Sequence, residues 1–159
     1  MNMSSIEIER VLTRLFSKSR TSFLGVFSRD RIPSPAYIKA HTPCCYVANS
    51  DQVGSPGKHW IAFYHSDPNS LDFFDSYGND PKYFGFLLTD SFRIHHNTRK
   101  IQSDLSIICG AYCIFFLLHR NRGQSLETIC RNLFYMNRNQ VDSYVLTSVR
   151  KLVAFLHLK

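Results

Sequence analysis

A chain of 159 residues is long enough to bury one core and too short for two comfortable ones. Apolar residues make up 44% of it and aromatic residues 14%, with no apolar run of membrane-span length, which excludes a disordered or membrane-spanning class. The formal charge of +7, from 19 Lys+Arg against 12 Asp+Glu, favours a polyanionic partner without requiring one.

The N-terminal "MNMSSIEIERVLTRLF" carries acidic residues and helical periodicity, a pattern of neither a signal nor a typical transit peptide. The protein is therefore expected to begin in the cytosol and not to be secreted. Ser4-x-x-Glu7 reads as a capping box, and Ile8, Val11, Leu12, Leu15 and Phe16 follow at helical spacing, predicting a helix over 5–17. "FLGVFSRDRIPSPA" is strand-like and breaks at Pro33 and Pro35. Strands are predicted over 44–50, 59–65 and 71–78, separated by turn chemistry at 51–57 and 67–70, so 44–78 reads as a three-stranded antiparallel meander. Residues 81–90 predict a helix, and the basic stretch 92–102 reads as extended. A nearly all-apolar helix over 109–119 is expected to be buried on most sides, and two further helices over 125–135 and 140–157 complete the chain. No repeat, low-complexity segment or linker divides it, so residues 1–159 read as a single domain. The class is α+β: a small mixed or antiparallel sheet packed against helices, one of them central and buried.

Five cysteines, an odd number without a C-x-x-C pair, argue against both a disulfide framework and a zinc ribbon. Reduced thiols are expected, at least one of them available for chemistry. Thiol-protease chemistry needs a sulfur held as thiolate, an imidazole to shuttle the proton, a group to orient that imidazole, and oxyanion donors. Cys109 falls at the first turn of the central helix, where unpaired N–H groups and the positive dipole end lower a thiol pKa. Gly110 beside it would leave room for a substrate carbonyl. Taken alone, Cys109 reads as a buried structural cysteine. His59 opens a strand after a Pro-Gly turn, with Trp60 on the opposite face. Alone, it reads as a surface histidine. Asp75 ends the next strand in "FFDSYG", where a hairpin through 66–70 would bring it to His59; Asp72 is its competitor. Gln102 leads into the helix, and its amide with the Cys109 N–H would form an oxyanion hole. It reads otherwise as a loop glutamine. Each member is weak; the ordered set His-Trp, Asp, Gln-x6-Cys-Gly is specific.

With these residues assembled, the chain resembles the adenovirus-type cysteine proteases (adenains) and their relatives in Maverick/Polinton elements and related DNA viruses. "GKHWIAF" is similar to that family's histidine motif, "FFDSYG" to its acidic motif and "QSDLSIICGAYC" to its glutamine-cysteine motif. "FLGVF" and "NRNQVDSYVL" also resemble family segments, so the likeness spans most of the chain. It implies an adenain-like fold with the nucleophile on the central helix. It implies His59 as base, Asp75 as orienting carboxylate, Gln102 as oxyanion donor and Cys109 as nucleophile. It implies an endopeptidase that matures capsid or core precursors of a virus or mobile element at small-residue, glycine-containing sites. The setting would be the virion and the host nucleus or cytoplasm.

Three departures accompany the likeness. The adenoviral enzymes carry Glu where this chain has Asp75, an aspartate shared with the ubiquitin-like-protein proteases of the same clan. They also tether a peptide cofactor through a cysteine that is Ser91 here, so an activating peptide is expected to bind reversibly. The chain ends soon after its last helix, as in the shorter transposon and virus branch. No metal or organic cofactor is expected for the chemistry; DNA is an expected partner, and the protein is expected to act as a monomer.

Two other classes compete. A ubiquitin-like-protein isopeptidase shares the layout, although 159 residues leave little room for an extended modifier surface. A basic DNA-binding module, with "FRIHHNTRK", "NRNQ" and "SVRK" as its footprint, would leave Cys109 as core and the glutamine spacing unexplained. A metal site at His95 and His96 is disfavoured, since neighbours on an extended segment point to opposite sides.

Overall fold

The computed structural model describes residues 2–51, 59–86, 88 and 90–158. Ser4 caps the first helix, α1 (Ser5–Phe16), through the reciprocal bonds with Glu7 that the spacing predicts. Five strands follow the order of the chain across one sheet: β1 (Ser22–Phe27), β2 (Cys44–Asn49), β3 (Trp60–His65), β4 (Ser70–Phe74) and β5 (Arg93–His96). The central three pair antiparallel as the expected meander, and β1 and β5 add to its two sides in parallel, giving a mixed sheet. The expected turn at 51–57 lies almost wholly outside the described residues.

Both faces of the sheet are covered. On one lies α3 (Cys109–Asn121), whose residues from Cys109 to Leu118 are all buried, with α1, α4 (Leu126–Phe134) and α5 (Arg138–Phe155) around it. Phe116 of α3 stacks on Phe74 of β4 at 4.6 Å, and replacing such a fully buried ring with alanine costs about 3–5 kcal/mol. On the other face Tyr46, Ile61, Phe63 and Phe73 pack under Ile38, Phe84, Phe86 and Phe92. This double cover explains why β2 reads as a continuous apolar run: every one of its residues is buried.

Two segments depart from the sequence reading. Pro33 and Pro35 read as breakers in the sequence, yet a short helix, α2 (Pro35–Ala40), starts there. Ser34 caps it through the Tyr37 N–H, and Pro35 occupies the first turn, where its missing donor costs nothing. The helix expected over 81–90 is instead one 3-10 turn, Pro81–Phe84, ended by Gly85 in the left-handed region at φ 70°. The remaining helices start within two residues of their expected positions.

Candidate active site

β3 begins one residue after His59, and β4 ends one residue before Asp75. Because these strands are antiparallel, both residues emerge at the same sheet end, and His59 Nε2 stands 2.5 Å from Asp75 Oδ1. Asp72, the competing carboxylate, pairs instead with Arg120 of α3 at 3.0 Å and with His95 at 3.5 Å.

Asp75 is fully buried and its two oxygens accept four bonds: from His59, from the backbone N–H groups of Tyr77 and Asn79, and from Asn79 Nδ2. Burial raises its pKa, but the imidazole and these backbone donors outweigh that and hold it below the usual carboxylate value. Its main chain is held as well. Asn97 Oδ1 accepts the Asp75 N–H at 3.1 Å, and Asn97 Nδ2 donates to the Asp75 carbonyl at 2.5 Å. Gly78 then lets this turn close. At φ 73°, a Cβ there would lie 2.6 Å from the Arg99 carbonyl carbon.

α3 starts at Cys109 without any side-chain cap on its first N–H groups. Cys109 is buried, with 8% of the residue exposed. Burial pushes the thiol up, but the His59 imidazole and the backbone N–H groups of Trp60 and Gly110 outweigh it and bring its pKa below the ordinary value. The other four cysteines all move the opposite way: burial is the largest cause for each, and neighbouring negative charge adds to it at Cys45, Cys113 and Cys130. His59 answers in kind. Burial lowers it, yet hydrogen bonding and charge from Asp75 and Cys109 lift it to about 9. With Nε2 on Asp75, its Nδ1 is buried without a conventional partner and is the nitrogen left for proton exchange with the sulfur. Negative charge on the sulfur and positive charge on the imidazole thus favour one another.

Gln102 is 2% exposed and not a free loop residue. Its Oε1 accepts from Ser76 Oγ at 2.6 Å, and its Nε2 donates to the Ser106 carbonyl at 2.8 Å. Gly110 has a packing reason to lack a side chain. A Cβ there would sit 3.0 Å from Ile8 Cδ1 and 3.2 Å from Met3 Cβ, so this glycine admits α1 against α3.

Several supports escaped the sequence reading. Ser76 and Tyr77 lie inside "FFDSYG", and Asn79 is four residues past Asp75, so a search for turn-forming Asx contacts finds Asn79. Asn97 has no such signal, since its partner is far along the chain. Among the described residues, no group of three His, Cys, Asp or Glu side chains is arranged to hold a metal ion. Nor is any helix among them long and apolar enough to cross a membrane.

No model of a known protein family matches the chain. In an alignment of 112 positions that covers 60% of its length, the chain is 27% identical to a protease of Bovine adenovirus C serotype 10. The match spans 56% of that protein, little more than half its length. In structure it resembles the central domain of the uncharacterized Lpg1148 protein from Legionella pneumophila, with a TM-score of 0.51 at 18% identity. That likeness covers 92% of this chain and 97% of the domain, and it concerns the fold alone. The chain is therefore a mixed α/β protein with a distant likeness to a viral protease.

Proposed function

We propose that this protein is a cysteine endopeptidase in which Cys109 is the nucleophile, His59 the base, Asp75 the orienting carboxylate and Gln102 an oxyanion donor. One observation carries the reading: of five cysteines, only Cys109 has its thiol pKa brought down, and the imidazole responsible is itself bonded to a buried carboxylate. A cysteine that served as core packing would shift upward like Cys113 beside it. The thiolate attacks the scissile carbonyl, the His59 imidazolium gives its proton to the leaving amine, and the acyl-enzyme is then hydrolysed by water.

The distant adenoviral relative and the motif likeness support precursor proteins of a virus or mobile element as substrates, cut at small-residue, glycine-containing sites within the particle or the infected cell. Glycines beside the cut let an extended chain approach the sulfur without side-chain clash. In keeping with Ser91, an activating peptide would bind reversibly, and β5, last in the strand order, is the edge where an added strand would pair. The basic surface fits duplex DNA as a further partner, and the protein would act as a monomer. A second reading, an isopeptidase for ubiquitin-like modifiers, is favoured by the aspartate at position 75. The test is labelling with a Gly-Gly vinyl-sulfone peptide and mapping of the modified residue. Modification of Cys109 supports the reading, and labelling spread over the other thiols rejects it. A fluorogenic ubiquitin-like substrate run beside the short peptide separates the two protease classes.

A further inference from the structure

Gln102 is gripped on both ends of its amide, and the grip determines what it can donate. The Ser106 carbonyl can only accept, so the group facing it must be the Gln102 NH2, and the amide orientation is fixed without ambiguity. Ser76 Oγ therefore donates to Oε1 at 2.6 Å. The Ser76 carbonyl also accepts the backbone N–H groups of Ile101 and Gln102, at 2.9 and 3.0 Å. Main chain and amide oxygen are thus anchored to the residue next to Asp75.

The donor end is set by a different residue. The Ser106 carbonyl accepts a second bond at 3.2 Å, from the Tyr77 hydroxyl. The Tyr77 ring lies 4.8 Å from the His59 ring, and its backbone N–H bonds Asp75 Oδ1. One side chain therefore spans from the imidazole to the carbonyl that aims the Gln102 amide. The first amide hydrogen is committed to that carbonyl. The second makes a longer bond of 3.2 Å to Ser106 Oγ, a neutral hydroxyl on a half-buried residue. A developing oxyanion is a far stronger acceptor than a hydroxyl and can take this hydrogen while the first stays in place.

We propose that Tyr77 is a positioning residue for the oxyanion donor: its hydroxyl fixes the Ser106 carbonyl, which aims Gln102 Nε2, leaving the hydrogen now on Ser106 Oγ for the transition state. The inference rests on the protease reading above and adds to it a residue outside the catalytic set. Tyr77→Phe is nearly isosteric and keeps both the ring contact with His59 and the backbone bond to Asp75, so only the link to Ser106 is lost.

The experiment is a double-mutant cycle of Tyr77→Phe and Gln102→Ala on hydrolysis of a Gly-Gly peptide, with the rate of Cys109 alkylation measured across pH for each protein. Loss of one oxyanion donor costs about 100- to 1000-fold in kcat, and misaiming it should cost Tyr77→Phe roughly 5- to 50-fold, with KM little changed. In the Gln102→Ala background Tyr77→Phe should have almost no effect, since no donor remains to be aimed. Alkylation of Cys109 should follow the wild-type pH curve in all variants. A Tyr77→Phe loss that persists undiminished without Gln102, no loss in the wild-type background, or an altered alkylation curve would each overturn the inference while leaving the protease reading intact. A wild-type protein that hydrolyses no peptide and alkylates at Cys109 like an ordinary thiol overturns both.

Discussion

His59 Nε2 and Asp75 Oδ1 meet at 2.5 Å across the ends of β3 and β4, each one residue outside its strand. The carboxylate that receives the imidazole also accepts three further donors from Tyr77 and Asn79. Asp75→Asn would therefore do more than weaken the orientation of His59. An amide group turned toward this ring of donors faces at least one of them with a hydrogen. We expect kcat to fall about 10- to 100-fold, the low end of what losing an orienting carboxylate costs. Stability should fall as well, by about 1–3 kcal/mol for a buried donor left unpaired. Asp72→Asn, which disturbs the pair with Arg120, should leave hydrolysis near wild type. Steady-state kinetics beside thermal melts check this, and the reverse ranking of the two variants would refute it.

Cys109 and Cys113 are one helical turn apart and differ in what surrounds them. Cys113 is 1% exposed, and burial holds its thiol well above the usual value. Cys109→Ala should abolish peptide hydrolysis with the fold retained. Cys113→Ala should keep most of the activity and lose some stability through the cavity it leaves. Circular dichroism and activity measured on both variants decide the matter; equal loss of activity in two folded proteins contradicts the assignment.

The pH profile follows from the same pair. His59 rises from an ordinary 6.5 to about 9, so its charged form contributes stability fully below pH 6.5, and that contribution is lost as pH climbs through about 9. The proton the leaving amine needs disappears over the same range. A plot of kcat/KM should therefore hold up through neutral pH and fall on an alkaline limb near pH 9. An alkaline limb near pH 7 would mean that the imidazole is not paired as described.

The elements that build this site were legible where a period or a cap carried them. Ser4 and Glu7 announced α1, alternation and apolar runs announced β2 to β4, and the unbroken apolar stretch after Cys109 announced α3. Two features misled for physical reasons. Pro35 stops a strand and equally well starts a helix once Ser34 caps it, and Gly85 cuts the apolar-rich 81–90 segment to a single turn. The choice between Asp75 and Asp72 could be made only as well as the hairpin register could be guessed. What lay beyond reach was the support: Asn97 bracing Asp75, and Ser76 and Ser106 gripping Gln102. These are pairwise hydrogen bonds between loops, which leave no periodic trace. Gly110 carries a packing reason that the sequence does not display, the close approach of Ile8 and Met3.

His65 gives the fold an acid limit independent of the site. It is fully buried at the end of β3, with Nδ1 3.0 Å from the Ser70 carbonyl and Nε2 3.2 Å from the Tyr46 hydroxyl. The carbonyl requires a hydrogen on Nδ1, so the neutral ring is satisfied on both sides. Burial lowers it to about 4, whereas the unfolded chain takes up the proton near 6.5. Stability should therefore decline as pH falls from 6.5 toward 4, by on the order of 3 kcal/mol. Asp75, held low in the fold, adds its own loss only below the ordinary 3.8. Urea unfolding midpoints across this window test the slope, and a midpoint that stays flat from pH 6.5 to 4.5 would reject it.

The positive charge makes the final prediction. Arg93, Arg99, Arg131, Arg138, Arg150 and Lys151 are all exposed, while Lys100 is partly neutralised by Asp104. The Arg99 guanidinium lies 4.4 Å over the Phe134 ring, and Arg99 and Arg131 line the groove between β5 and α4 together with one carboxylate, Glu127. A surface of this kind should bind duplex DNA through phosphates without sequence preference, releasing counterions. With roughly 3–5 phosphate contacts, log K should fall against log salt with a slope of about −3 to −5. Arg99→Ala and Arg131→Ala should each weaken binding alike for different sequences and flatten the slope by about 1. Reductant should not switch peptide hydrolysis off, because Ser91 offers no sulfur for a tethered peptide, and an activity assay with and without reductant checks this. Fluorescence anisotropy with a short labelled duplex at several salt concentrations measures the binding. Binding that is absent at low salt, or that does not weaken as salt rises, means that the charge serves only to keep the protein in solution.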